Sequence, residues 1–174
     1  MIKGYTGFVG QALIALKACE LAAEHLRGFE IVIYSASIKS RIRALKLRHI
    51  HKVHVTILPR RTPHYEMLKN FSQARIYAGI SLSDGISTSL LEAMATGCYP
   101  IQTDTSCATE WLSGTSGSVT PAEPNSVSQE LIKALVSDAL VNEAARINMS
   151  KIRLENELTQ TAKKSVSFYK IILS

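Results

Sequence analysis

Two carboxylates, Asp84 and Glu92, stand with seven residues between them in the segment Ile80–Asp104, ISLSDGISTSLLEAMATGCYPIQTD. Ser81, Ser83, Ser87, Thr88 and Ser89 surround the first, and Leu90, Leu91 and Met94 supply an apolar helix face that Gly97 ends. Carboxylates accept hydrogen bonds from hydroxyls, and backbone N–H groups at a helix N-terminus favour anions. An acidic loop entering a helix therefore suits a ligand that combines phosphates with sugar hydroxyls. Asp84-Gly85 is a turn pair, Ser87 or Thr88 fits the N-cap, and Glu92 falls roughly one turn inside the helix. The helix dipole alone accounts for an acidic residue there. The apolar neighbours Leu90, Leu91, Ala93, Met94 and Ala95 nevertheless make a buried carboxylate costly unless it has partners, and a ligand is one way to supply them.

A glycine-rich segment, Gly4-Tyr-Thr-Gly7-Phe-Val-Gly10, reads as a tight turn that opens a helix toward an anionic ligand. A strand-to-helix turn with no ligand contact explains the same glycines. GYTGFVGQAL resembles the opening of extended short-chain dehydrogenases, and Tyr65–Lys69 matches YxxxK. That pair comes far too early in the chain, and Tyr34-Ser35-Ala36 offers no acidic residue for a cofactor ribose. An NAD(P)-dependent dehydrogenase is thus the minor reading, and Tyr65 and Lys69 read as helix surface.

The elements that must position these residues alternate. Glu30–Ser35, Val53–Leu58, Ile76–Ser81 and Tyr99–Gln102 read as buried strands, with only Met1–Lys3 left for a first strand. Helical patterns fall at about 8–25, 38–49, 63–73 and 87–97. Such alternation predicts a parallel sheet with right-handed crossovers. After the polar Pro121–Asn125, helices are expected at about 126–140 and 141–164, with an apolar end at Phe168–Leu173. A start placed directly on the first strand reads as a piece of a longer chain.

With 174 residues, 46% hydrophobic and 20% charged, the composition fits one domain of 1–174 with a sizeable core. The net charge of +6 gathers between Lys39 and Arg61, where no aromatic interleaves with the run from Lys39 to Lys52, so a nucleic-acid stacking platform is not expected. Cys19, Cys98 and Cys107 contain no CxxC pair, which argues against a disulfide framework or a zinc site and fits a reducing cytosol. Cys98 and Cys107 read as small core residues, Phe8 and Trp111 as packing residues. His25, His49, His51, His54 and His64 form no metal or triad pattern, and the 49/51 spacing is that of a strand face.

The segment SDGISTSLLEAMATGCYPIQTD resembles the signature of family 4 retaining glycosyltransferases of GT-B architecture: an acidic residue, Gly, a short loop, then LLEAMA-x-G-x-P-I/V. Asp84 stands where the family has a glutamate, one methylene longer. The likeness extends to Glu110-Trp111 and Gly117 and covers essentially the whole chain as the C-terminal, donor-binding half. It implies an α/β, Rossmann-like three-layer parallel sheet flanked by helices, with a helical C-terminal region. It implies that Glu92 accepts hydrogen bonds from a nucleotide ribose and that Asp84 faces the donor sugar. Gly4, Gly85 and the backbone N–H groups of Ile86, Ser87, Thr88 and Ser89 would hold the diphosphate, with Lys3 as the first cation. The family's second cation has no counterpart among Val9, Gly10 and Gln11; Arg60 or Arg61 is the candidate substitute. The catalytic set so implied is Asp84, Glu92 and Lys3, with no metal or other cofactor. The partners implied are a nucleotide-sugar and an N-terminal acceptor-binding half, in a cytoplasmic protein of polysaccharide biosynthesis that touches the inner face of a membrane through its full-length form. The isolated half is expected to transfer nothing. A non-catalytic nucleotide-binding module is the alternative.

Overall fold

The computed structural model describes residues 1–85, 87–105, 107–156 and 158–173. In chain order the elements are β1 (Ile2–Lys3), β2 (Thr6–Gly7), β3 (Gly10–Gln11), α1 (Ala12–Leu21), β4 (Glu30–Tyr34), α2 (Ile38–Ile50), β5 (His54–Ile57) and α3 (His64–Gln73). There follow β6 (Ile76–Gly79), α4 (Thr88–Ala95), β7 (Tyr99–Thr103), α5 (Ala108–Trp111), β8 (Ser118–Thr120), α6 (Pro124–Val136), α7 (Asp138–Asn156) and α8 (Leu158–Leu173).

Six strands pair in parallel in the order β5-β4-β1-β6-β7-β8. Alternate residues of each strand serve opposite faces. Ile31 and Ile33 of β4, with Ile76 and Ala78 of β6, pack beneath α1, α2 and α6. Tyr34 and Tyr77 turn the other way, onto Phe71 of α3 and Leu90, Ala93 and Met94 of α4. Both faces of the sheet are therefore covered, which is why these strands read as continuous apolar runs. In such a doubly wound sheet the strand order reverses between β1 and β6, and a crevice opens at their carboxyl ends.

The four helices expected between residues 8 and 97 and the strands before and between them are present, with ends trimmed by a few residues. The glycine segment differs. It does not run straight into a helix at residue 8; β2 and β3 form a small antiparallel hairpin, and α1 starts at Ala12, whose N–H donates to the Tyr5 carbonyl. Gly7 has φ 124°, open to glycine and strained for other residues. Phe8, expected to pack, stands 76% exposed at the hairpin tip. β8 was not foreseen, being a three-residue strand whose only sequence signal was the Gly117 turn. His49 lies in α2 and His51 caps it, so the strand-face spacing was coincidental. Cys98 is buried, whereas Cys107 is only half-buried before α5. Trp111 packs with Lys151 over its ring at 5.1 Å. The C-terminal region divides at 136–138. Among the described residues no helix is long and apolar enough to cross a membrane.

One buried charge ties the helical layer together. Glu20 is 7% exposed and receives Lys17 at 3.1 Å and Arg43 at 2.5 Å. Burial pushes its carboxyl up, but the hydrogen bond from Lys17 and the charge of Arg43 outweigh that and hold it below the ordinary value. A depressed carboxyl contributes stability that is present above the unfolded pKa of about 4.3 and is lost as pH falls through the folded one. Thermal melts at stepped pH should accordingly show the native chain losing stability below about pH 4.3 more steeply than Glu20→Gln does. Parallel curves would dismiss the ion pair as a source of stability.

Candidate functional site

The crevice between β1 and β6 receives residues 80–85 of the loop after β6 and the N-terminus of α4. Leu82 and Ser83 N–H groups both donate to the Phe8 carbonyl, at 2.9 and 3.1 Å, and Gln11 N–H donates to Ile80 at 2.7 Å. The other side of the loop is held by β7: Thr103 Oγ1 accepts from Ser81 N–H at 3.0 Å and donates to the Ser81 carbonyl at 2.8 Å. The glycine hairpin is thus a buttress for the acidic loop. Helix α4 has Ser87 as its N-cap, whose side chain makes no capping hydrogen bond. The Ser87 carbonyl already accepts from Leu90 at 2.9 Å, so the N–H groups of Thr88 and Ser89 precede the helical ladder. The other end closes in a Schellman motif: Cys98 N–H donates to Ala93 at 2.9 Å and Gly97, at φ 86°, to Met94 at 3.3 Å.

The structure joins Asp84 to Lys3 across the crevice, with Nζ donating to Oδ2 at 2.9 Å; their side chains are 13% (Lys3) and 20% (Asp84) exposed. Lys3 also lies 5.6 Å from the centre of the Tyr5 ring. An ammonium has three donors, and the bond to Asp84 uses one. Glu92 is 25% exposed, so the costly full burial anticipated from its apolar neighbours does not arise. Its Oε1 meets Nε2 of His64, the first residue of α3, at 2.8 Å. Gly4 and Gly85 differ in what surrounds them. A Cβ on Gly4 would stand 2.6 Å from Ala36 Cα and 2.7 Å from the Tyr34 carbonyl, whereas one on Gly85 would meet nothing within 4 Å. Ser87, Thr88 and Ser89 occupy the turn where the loop becomes α4; Ile86 lies outside the described residues. Arg60 and Arg61 are exposed on the loop before α3, and among the described residues no ion pair ties them to this crevice.

Tyr34 and Tyr77 escaped the sequence reading. Their hydroxyls approach one another and the Ser87 and Ser89 side chains beneath the start of α4, yet among the described residues neither makes an aligned hydrogen bond. Burial pushes the Tyr77 hydroxyl up to about 12 and raises Tyr34 further, so both stay protonated donors. A Cβ on Gly79 would stand 2.6 Å from the Tyr77 hydroxyl and would collide with Gln102 Oε1, which is also buried without a partner among the described residues. The alternation in β4 and β6 placed the rings on the α4 face, but two strands' worth of register decided that the hydroxyls meet. His64 was equally invisible, since it comes from a different crossover helix.

A two-sided parallel sheet with a crevice at its reversal point, an acidic loop and a helix N-terminus define a doubly wound α/β domain. Residues 6–137 match the family described as Glycosyl transferases group 1, and the chain belongs to that family. No curated protein matches it. Among solved structures it is similar to the C-terminal domain of a glycosyl transferase group 1 family protein from Francisella tularensis, with 14% identity and TM-score 0.78 over 90% of this chain and 85% of that one. It is similar to a glycosyltransferase from Rickettsia africae, with 16% identity and TM-score 0.78 over 99% of this chain and 47% of that one. An α,α-trehalose-phosphate synthase (UDP-forming) from Burkholderia vietnamiensis matches with 12% identity and TM-score 0.77 over all of this chain and 45% of that one. The chain therefore spans about half the length of the last two proteins. These likenesses identify the fold as one half of the GT-B architecture, a Rossmann-like sheet with C-terminal helices.

Proposed function

We propose that this chain is the donor-binding half of a family 4 retaining glycosyltransferase and that its ligand is a nucleoside-diphosphate sugar. One observation carries the reading: Lys3 at the end of β1 pairs with Asp84 of the loop after β6, and that loop leads into the N-terminus of α4, which carries Glu92. Glu92 accepts hydrogen bonds from the ribose diol. The N–H groups at the start of α4 and the free donors of Lys3 face the diphosphate. Asp84 receives the hydroxyls of the sugar.

In transfer, the bond between the anomeric carbon and the phosphate oxygen breaks and the diphosphate leaves with the electron pair. A bond to the acceptor oxygen forms, and the acceptor hydroxyl passes its proton to the departing diphosphate. Negative charge grows on the diphosphate as this happens, so fixed donors aimed at it lower the barrier, by about 3 kcal/mol for each well-placed one. The acceptor belongs to an N-terminal half that the reading places outside this chain, so the 174 residues bind donor and transfer nothing. A second reading, a nucleotide-binding module without turnover, is favoured by the partial neutralisation of Lys3 by Asp84.

Thermal melting with UDP, GDP, ADP and NAD(H) tests the assignment. A nucleoside diphosphate at about 100 times its Kd adds about 2.7 kcal/mol, or roughly 5–10 °C for a chain of this size. Stabilisation by NAD(H) alone, or by none of the four, would defeat it. Sugar transfer by the longer protein separates the enzyme from the module.

A further inference from the structure

Helix α2 turns an apolar ridge toward solvent. Its inner side buries Ser40, Ala44 and Leu47. Its outer side carries Ile38, Ile42 and Leu45 at helical spacing, 78%, 64% and 48% exposed. At 100° per residue, Lys39 and Lys46 flank this ridge on one side, Arg41 and Arg48 on the other. The helix contains no acidic residue. Arg43 is drawn down onto Glu20, and Arg48 donates to the Val55 carbonyl. Lys39, Arg41 and Lys46 are exposed and, among the described residues, form no ion pair.

A solvated helix face would set polar residues where this one sets isoleucine and leucine. Nucleic acid would match the cations but gain nothing from the ridge, and α2 has no aromatic on which a base could stack. A groove that swallows an amphipathic helix requires a free helix, and α2 is packed against α1 and β5. A lipid surface meets all three features. The ridge sinks to the boundary of the acyl chains, the lysine and arginine stems lie along it, and their charges reach the headgroup phosphates. We propose that α2 is a docking surface for an anionic lipid bilayer. The first turn of α2 touches the carboxyl edge of the sheet, where Ser40 Oγ donates to the Gly4 carbonyl at 2.7 Å. Docking on α2 holds the crevice close to the headgroups. The inference does not depend on the donor assigned above.

Co-sedimentation of the 174-residue chain with phosphatidylcholine vesicles, with and without phosphatidylglycerol, tests it. Binding is expected only with phosphatidylglycerol and should weaken as salt is raised. The triple variant Lys39→Gln, Arg41→Gln, Lys46→Gln should lose affinity on the order of 100-fold, at about fivefold per cation. The pair Ile38→Ser, Ile42→Ser should abolish binding while melting as the parent does. The proposal is overturned by absence of binding to the anionic vesicles, by equal binding to neutral ones, or by binding that both α2 variants retain. It is equally overturned if binding survives in them but is lost with Lys163→Gln, Lys164→Gln, Lys170→Gln on α8, or if the chain binds a single-stranded RNA and no vesicle.

Discussion

Replacing Glu92 with alanine is expected to weaken nucleoside-diphosphate binding by about ten- to hundredfold, since a hydrogen bond to a charged group is worth about 1.5–3 kcal/mol. The side chain is 25% exposed and its bond to His64 lies at the surface, so the variant should melt close to the parent. Calorimetric titration with the stabilising nucleotide measures the loss. Unchanged affinity in a folded variant would remove Glu92 from the ligand. Asp84→Ala is expected to behave differently, because the proposed reading turns Asp84 to the sugar and the residue holds Lys3 at 2.9 Å. In the longer protein it should reduce turnover more than nucleotide affinity, and the reverse order would reject the division of roles.

Gly4→Ala is expected to lower stability by about 3 kcal/mol, at the upper end for overpacking, and the melting temperature by roughly 6–12 °C. The added methyl would meet backbone atoms of Tyr34 and Ala36 within 3 Å, and backbone yields less readily than the end of a side chain. The same residue accepts from Ser37 N–H at 3.0 Å and from Ser40 Oγ at 2.7 Å through its carbonyl, so the strain spreads into the start of α2. Gly85→Ala is the contrast: with nothing within 4 Å of the new methyl, melting should stay near that of the parent while ligand affinity falls. If Gly4→Ala melts like the parent, the packing account of Gly4 fails. If both variants lose only affinity, the two glycines share one role at the ligand.

Much of the sheet was legible because the local signals agreed. Val-, Ile- and Tyr-rich runs between helical periods demanded a buried parallel sheet. Gly97 marked the end of α4 because a left-handed residue is needed there. The hairpin at Thr6–Gln11 was hidden by its glycines, which suit a ligand turn and a tight hairpin alike. Its geometry is settled by partners 70 residues away, where Phe8 receives two N–H groups of the acidic loop.

The spacing of Asp84 and Glu92, the turn at Gly85 and the helix that starts after Ser87 are short-range facts, written in consecutive residues and the hydrogen bonds they allow. The tertiary structure alone decided what the carboxylates touch. Asp84 meets Lys3 and Glu92 meets His64, and the hydroxyls of Tyr34 and Tyr77 gather under the same turn. These pairings join separate strands and crossover helices, and their distances follow from sheet order and register. Sequence spacing along one chain carries no information about which two edges of a sheet the fold brings side by side.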